Sequence, residues 1–131
     1  MKIILGILAL CGIFPLIVYV LVQRKRFEWV RIISKAHRCS EKGQHQEAIA
    51  LAEEALENAK LRLGPEHPHI VLVLGDIGSY HEQLEQYDRA EECYLLALEI
   101  AEKNSDRKQF VIFQAMEYLK NFYEEREQFE K

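Results

Sequence analysis

Hydrophobic and polar positions divide the chain into an apolar segment and a longer amphipathic part. Ile3 to Val22 form twenty consecutive residues without a charged side chain. At 1.5 Å per residue, a helix of this length covers about 30 Å, the thickness of the hydrocarbon core of a bilayer. Backbone amides within lipid must bond internally. The pattern therefore predicts a single N-terminal transmembrane helix that contacts membrane lipid through residues 3–22.

The remainder of the chain is predicted to be helical throughout. Apolar residues recur at a spacing of 3.6 residues, as they do on one face of an α-helix. Gly64 and Pro65 interrupt the pattern, and Pro68 suits the first turn of the helix that follows. The predicted fold class is all-α, with helices over residues 27–42, 46–63, 68–84, 88–103 and 107–128.

The helical part also repeats itself after 42 residues. When residues 43–59 are aligned with 85–101, alanine recurs at 48 and 90, at 55 and 97, and at 59 and 101. A second shift of the same size places Tyr87 on Phe129. Helical units that repeat at a fixed period stack into a solenoid. We therefore expect a short helical-hairpin solenoid of about two and a half units, the third of which begins near the end of the sequence.

The middle unit resembles the tetratricopeptide repeat, a helix–turn–helix motif. Its bulky, bulky, small and aromatic positions fall on Leu74, Ile77, Gly78 and His81, although tyrosine is more usual where His81 stands. The 42-residue period and the linker LGPEHPHIV at 63–71 are similar to the kinesin-light-chain variety of the repeat. The resemblance implies that the repeats pack through Ala48, Ala55, Leu74, Ile77, Gly78, Tyr87, Ala90, Tyr94 and Ala97.

The distribution of basic residues predicts how the chain is arranged at the membrane. Arg24, Lys25 and Arg26 follow the apolar segment, whereas only Lys2 precedes it. Because basic residues favour the cytoplasmic side, the C-terminal repeat domain is predicted to be cytoplasmic, with these three side chains against lipid headgroups. The predicted organisation is an anchor at 1–23, a basic juxtamembrane segment at 24–38 that runs into the first repeat helix, and a repeat domain at 28–131. The alternative is a cleaved signal peptide, which would place the repeats outside the cytoplasm.

The resemblance also implies a binding surface. In proteins of this kind the first helix of each hairpin lines a concave face that holds an extended or helical peptide. By the repeat register this face carries ten residues, and its polar, mildly acidic character favours a basic or mixed partner segment. The ten residues are Ile33, His37, Ser40, Gly75, Ser79, Glu82, Gln114, Glu117, Asn121 and Glu124.

The last predicted helix is rich in aromatic residues that cover more than one of its faces. They include Phe110, Phe113, Tyr118, Phe122 and Phe129. Three interpretations remain open: a terminal cap with all rings packed inward, a surface that binds a partner protein, or a surface that forms a homodimer.

Charge and motif content exclude other classes of function. Residues 1–38 carry seven basic side chains and one acid, and residues 39–131 carry ten basic and twenty acidic side chains. An acidic domain is poorly suited to nucleic acid. The sequence contains no phosphate-binding loop, nucleophile elbow or metal-ligand motif, so neither an enzyme nor a cofactor is predicted. We expect a membrane-tethered protein–protein interaction module, such as an adaptor, receptor or assembly factor. The alternative is a permanent accessory subunit of a larger membrane complex.

Overall fold

The computed structural model describes residues 1–104 and 109–130, apart from the side chains of Leu8 and Phe129. Within these residues the chain forms six helices and no strand, which confirms the predicted all-α fold. The bounds of the repeat helices agree with the predicted ones to within one residue, except that the predicted start of the last helix lies outside the described residues. The helices are α1 (Lys2–Arg26), α2 (Glu28–Glu41), α3 (His45–Leu63), α4 (Pro68–Gln83), α5 (Tyr87–Lys103) and α6 (Gln109–Phe129).

The turns inside the two complete hairpins have the same geometry. Gly43 and Glu85, which are 42 residues apart, both have positive φ angles, of 78° and 57°. In each turn the next amide closes the loop: Gln44 N donates to Cys39 O, and Gln86 N donates to His81 O, both at 2.9 Å. Glycine adopts this left-handed conformation without strain, whereas a residue with a Cβ does so at a cost of about 1–2 kcal/mol. The backbone conformation of the turn therefore repeats after 42 residues, even though the residue type differs.

Local hydrogen bonds in the linker between the hairpins end α3 and cap the start of α4. Gly64 ends α3 with a φ of 98°, and its amide donates to Lys60 O. His67 is the N-cap of α4, where its Nδ1 accepts from the His69 amide at 3.2 Å, and Pro68 occupies the first helical turn. Proline is favoured there because the amide it lacks would have no helical partner.

The repeat helices form two layers. Helix α3 packs against both α2 and α4, and α5 packs against both α4 and α6. Side chains of α4 also reach α2 and α6, so α2, α4 and α6 form one layer and α3 and α5 the other. Fully buried alanines line the contacts of α3 and α5, where they allow the helices to approach closely: Ala48, Ala52, Ala55, Ala59, Ala90, Ala97 and Ala101.

Two glycines on α4 provide space for tyrosine rings from neighbouring helices. A Cβ built on Gly78 would lie 2.4 Å from the ring of Tyr94, and one built on Gly75 would lie 2.4 Å from the ring of Tyr118. Real Cβ atoms do not approach other heavy atoms so closely. The two glycines therefore set the positions of α5 and α6 against α4.

Candidate functional site

The layer formed by α2, α4 and α6 carries the predicted binding face, and most of the expected residues reach its surface. His37, Ser79, Glu117, Asn121 and Glu124 are exposed, and Ser40, Glu82 and Gln114 are half-buried. Side-chain contacts connect α4 to both neighbours: Tyr80 Oη lies 2.9 Å from His37 Nδ1, and Tyr118 covers Gly75.

Two of the ten predicted residues are not on this surface. Ile33 is only 7% exposed, because it lies on the buried stripe of α2 with Trp29, Ala36 and Cys39. Gly75 is buried beneath the ring of Tyr118. The prediction that Ile33 contacts a ligand directly is therefore wrong, because Ile33 is a core residue. Gly75 positions a tyrosine and borders the cavity between α4 and α6.

A cavity of about 320 Å³ opens between α4 and α6. Its α4 wall includes the carboxylates of Asp76 and Glu82, and its α6 wall includes that of Glu125. Among the residues that the structure describes, no lysine or arginine lines it. We call this cavity the acidic pocket; its lining residues are Gly75, Asp76, Ser79, Glu82, Gln83, Tyr94, Tyr118, Asn121, Phe122 and Glu125.

Repeat register alone did not identify Asp76 and Glu125. The register placed Glu124 on the face, but the pocket is lined by its neighbour Glu125, which lies about 100° further around α6. A signal for Asp76 was present in the sequence. Helix α4 contains no lysine or arginine, and its only acidic residues are Asp76 and Glu82. The sequence therefore showed two carboxylates with no basic residue on the same helix.

Two carboxylates of the pocket, those of Asp76 and Glu82, have neutral or weakly basic partners. His37 Nε2 lies 3.3 Å from Asp76 Oδ2, and Tyr94 donates its hydroxyl hydrogen to Glu82. Burial raises the pKa of Asp76, and the neighbouring His37 opposes that rise. Burial also raises the pKa of Glu82, the Tyr94 hydrogen bond opposes the rise, and the charge of Glu125 adds to it. Burial and the acceptor Glu82 raise the pKa of Tyr94, which keeps its hydroxyl protonated as a donor.

The aromatic residues of α6 divide between its inner and outer faces. Phe110 and Phe113 are 70% and 65% exposed, whereas Phe122 is 1% exposed and packs against Tyr94. Tyr118 is half-buried and stacks on Tyr94, with ring centroids 5.7 Å apart. The interpretation that these rings form an open binding surface is therefore wrong for Phe122, which is core, whereas Tyr118 is half-buried and lines the acidic pocket. The side chain of Phe129 lies outside the described residues.

The two features most suggestive of reactive chemistry are explained by packing. His67 and His69 stack on each other at 5.0 Å, and His69 also packs against Trp29. Burial raises the pKa of the Cys93 thiol to about 11, so it remains protonated and weakly nucleophilic near pH 7. Within residues 1–104 and 109–130, no group of three or more His, Cys, Asp or Glu side chains is placed to hold a metal ion.

Most of helix α1 is exposed, although it touches α2 and α3. The large apolar side chains described between Ile3 and Val22 are exposed, and one helix in the described part of the chain, which includes α1, is long and apolar enough to cross a membrane. Arg24, Lys25 and Arg26 occupy its last turn.

Comparison with known proteins supports the fold. A family model described as tetratricopeptide repeat matches residues 35–103, which cover α3, α4, α5 and the second half of α2. No curated protein and no solved structure matches the chain. Repeats of this family form non-catalytic scaffolds that mediate contacts between proteins. The chain therefore belongs to the tetratricopeptide repeat family, and its repeat domain is a protein–protein interaction module.

Proposed function

We propose that the protein is a membrane-tethered adaptor, receptor or assembly factor that binds a partner through the face formed by α2, α4 and α6. The partner segment inserts a lysine or arginine side chain into the acidic pocket. One observation carries this proposal: Asp76, Glu82 and Glu125 converge from two helices on a cavity that no lysine or arginine of the described part of the chain lines. The 42-residue period and the linker at 63–71 further suggest the kinesin-light-chain variety of the repeat.

The electrostatics of the pocket favour a cationic side chain. Partly buried carboxylates attract a cation more strongly than carboxylates in water, because the effective dielectric constant around them is lower. Burial raises the pKa values of Asp76 and Glu82 because it disfavours their charged forms, and a cation beside them would oppose that effect. A bound lysine or arginine would supply the missing positive charge, whereas an acidic segment would be repelled.

The anchor would increase the encounter rate with partners at the same membrane. Residues 3–22 supply the span, and Arg24, Lys25 and Arg26 favour a cytoplasmic position for the repeats. Confinement to a surface raises the effective concentration of a binding module, so a groove of modest affinity is sufficient.

Replacement of Glu125 by glutamine tests the pocket. Glu125 lines the pocket, and its neighbour Glu124 faces Lys120 at 3.8 Å outside it, so Glu124→Gln is a control with the same change in charge. We expect full-length protein in detergent to select peptides with lysine or arginine at a recurrent position from a random displayed library. Titration calorimetry should then show about fivefold weaker binding to Glu125→Gln, since a partly exposed ion pair contributes up to about 1 kcal/mol. The loss in Glu124→Gln should be clearly smaller, because this residue lies on the face but outside the pocket. Absence of basic selection, or equal losses in both variants, would refute the pocket.

Arginine substitutions at the centre of α1 test the anchor. One arginine in the middle of a span opposes insertion by about 2.5–3.5 kcal/mol. Leu10→Arg combined with Ile13→Arg should therefore release the chain from membranes during alkaline carbonate extraction. Leu61→Arg, at an 85% exposed position of the repeat domain, should leave the chain in the membrane fraction.

The same preparations test sidedness and processing. Protease added outside sealed cells should spare the repeat domain, and intact mass should include residues 1–22. A mass lacking residues 1–22 would instead identify a cleaved signal sequence, and membrane retention of the double arginine variant would contradict the span.

The outer face of α6 favours a second candidate function, as a permanent subunit of a membrane complex. Phe110, Phe113 and Met116 lie exposed in one stretch of the helix, which is typical of surfaces that bind another protein. Purification of the tagged full-length chain in mild detergent distinguishes the candidates. A permanent subunit would co-purify with fixed stoichiometry, an adaptor would be recovered with substoichiometric partners, and pairing through α6 would yield a homodimer.

A further inference from the structure

The junction of α1 and α2 forms a second cavity with a different chemical character. This groove has a volume of about 810 Å³, within the range of small-ligand sites. One part of its lining is apolar, from Val20, Leu21 and Phe27, and these side chains are exposed. The remainder is polar and mostly basic: Gln23, Arg24, Lys25, Glu28 and Arg31. We call it the junction groove.

The charge of the junction groove is positive and comes from side chains. Arg24, Lys25 and Arg31 outnumber the single acid, Glu28, which faces Arg31 at 3.5 Å. The carboxyl end of α1 and the amino end of α2 meet at Phe27, so their helix dipoles oppose each other there. The three cations must therefore supply the attraction for an anion.

The position of the groove along the chain matches the boundary between lipid and water. Its apolar residues Val20 and Leu21 belong to the last turn of the predicted span, and its cations begin two residues after that span ends. A ligand that matches this groove needs an acyl chain for its apolar part and, beside that chain, a phosphate for its basic part. Anionic phospholipids combine these two groups and are concentrated on the cytoplasmic leaflet.

We propose that the junction groove binds one anionic phospholipid, with its phosphate between Arg24, Lys25 and Arg31 and an acyl chain along Val20, Leu21 and Phe27. This inference depends on the proposed membrane anchor. It differs from a general attraction of the basic segment to the membrane surface, because it assigns the neighbouring cations unequal roles. Arg26 belongs to the same helical turn but does not line the groove.

Native mass spectrometry of the full-length chain tests the site. The protein is equilibrated in detergent with equal amounts of phosphatidylserine and phosphatidylcholine that carry the same acyl chains. We expect one phosphatidylserine to be retained in preference to phosphatidylcholine. Arg24→Gln and Lys25→Gln should each weaken its retention about fivefold, whereas Arg26→Gln, with the same loss of charge, should retain it like the unmodified chain.

Other outcomes would overturn the proposal in distinguishable ways. Equal losses in all three variants would indicate a diffuse electrostatic attraction without a site. Equal retention of phosphatidylcholine would show that the cations do not select the headgroup, and displacement by an equimolar amount of inorganic phosphate would show an anion site without a lipid chain. Alkaline extraction reports separately on the anchor: a chain that stays in the membrane but retains no phosphatidylserine refutes the lipid site alone.

Discussion

Replacement of Phe122 by alanine is expected to lower the free energy of unfolding by about 3–5 kcal/mol, the range for removal of a buried aromatic ring. The Phe122 ring is 1% exposed and forms a core cluster with Ala90, Tyr94 and Leu119. It packs edge-on against Tyr94 at 5.6 Å, and the Arg126 guanidinium lies 5.5 Å from its centroid. Because this cluster joins α6 to α5, the cavity left by alanine should loosen the last helix first.

Urea denaturation of the full-length protein in detergent measures this loss, and hydrogen exchange locates it. In a solenoid each unit is stabilised mainly by its neighbours, so amides of α6 should exchange faster in Phe122→Ala while those of α3 change least. Phe113→Ala is the matched control: it removes the same ring at a 65% exposed position and should change stability by less than about 0.5 kcal/mol. Similar losses in the two variants would contradict the assignment of inner and outer faces.

Replacement of Gly78 by valine should destabilise the protein by about 2–3 kcal/mol. The cause here is steric overlap, whereas Phe122→Ala acts by leaving a cavity. A Cβ on Gly78 would lie 2.4–2.9 Å from three atoms of the Tyr94 ring. That ring cannot move aside easily, because its hydroxyl donates to Glu82 and the ring packs against Tyr118 and Phe122. The overlap therefore has to separate α4 from α5.

A double-mutant cycle separates this overlap from any intrinsic effect of valine on α4. Tyr94→Ala removes the atoms that the new side chain would meet, so Gly78→Val should be nearly neutral in that background. The unfolding free energies of the four proteins give the coupling between the two positions, which we expect to exceed about 1 kcal/mol. An equal loss with and without the Tyr94 ring would show that the valine does not act through Tyr94, because helix propensity alone favours valine over glycine.

The sequence alone was sufficient to predict the helices, their order along the chain and the 42-residue repeat. Helix formation depends on bonds between residues four apart and on an apolar stripe, and both are properties of a local segment. The turn residues Gly43 and Gly64 and the proline at 68 mark ends that the structure places within one residue of the predictions. The period of 42 even relates Gly43 to Glu85, although only one of them is the residue type that favours the turn.

Which side chains point inward was decided only by the tertiary structure. Composition showed that α6 is rich in aromatic residues, but contact with α5 and α4 buries Phe122 and leaves Phe113 exposed. Likewise, Ile33 is buried in the core, and Glu125 lines the acidic pocket whereas Glu124 does not. Adjacent residues of a helix differ by about 100° in direction, so a small rotation of one helix against another exchanges core, pocket and surface. The packing of distant segments sets that rotation, and no local pattern of residues contains it.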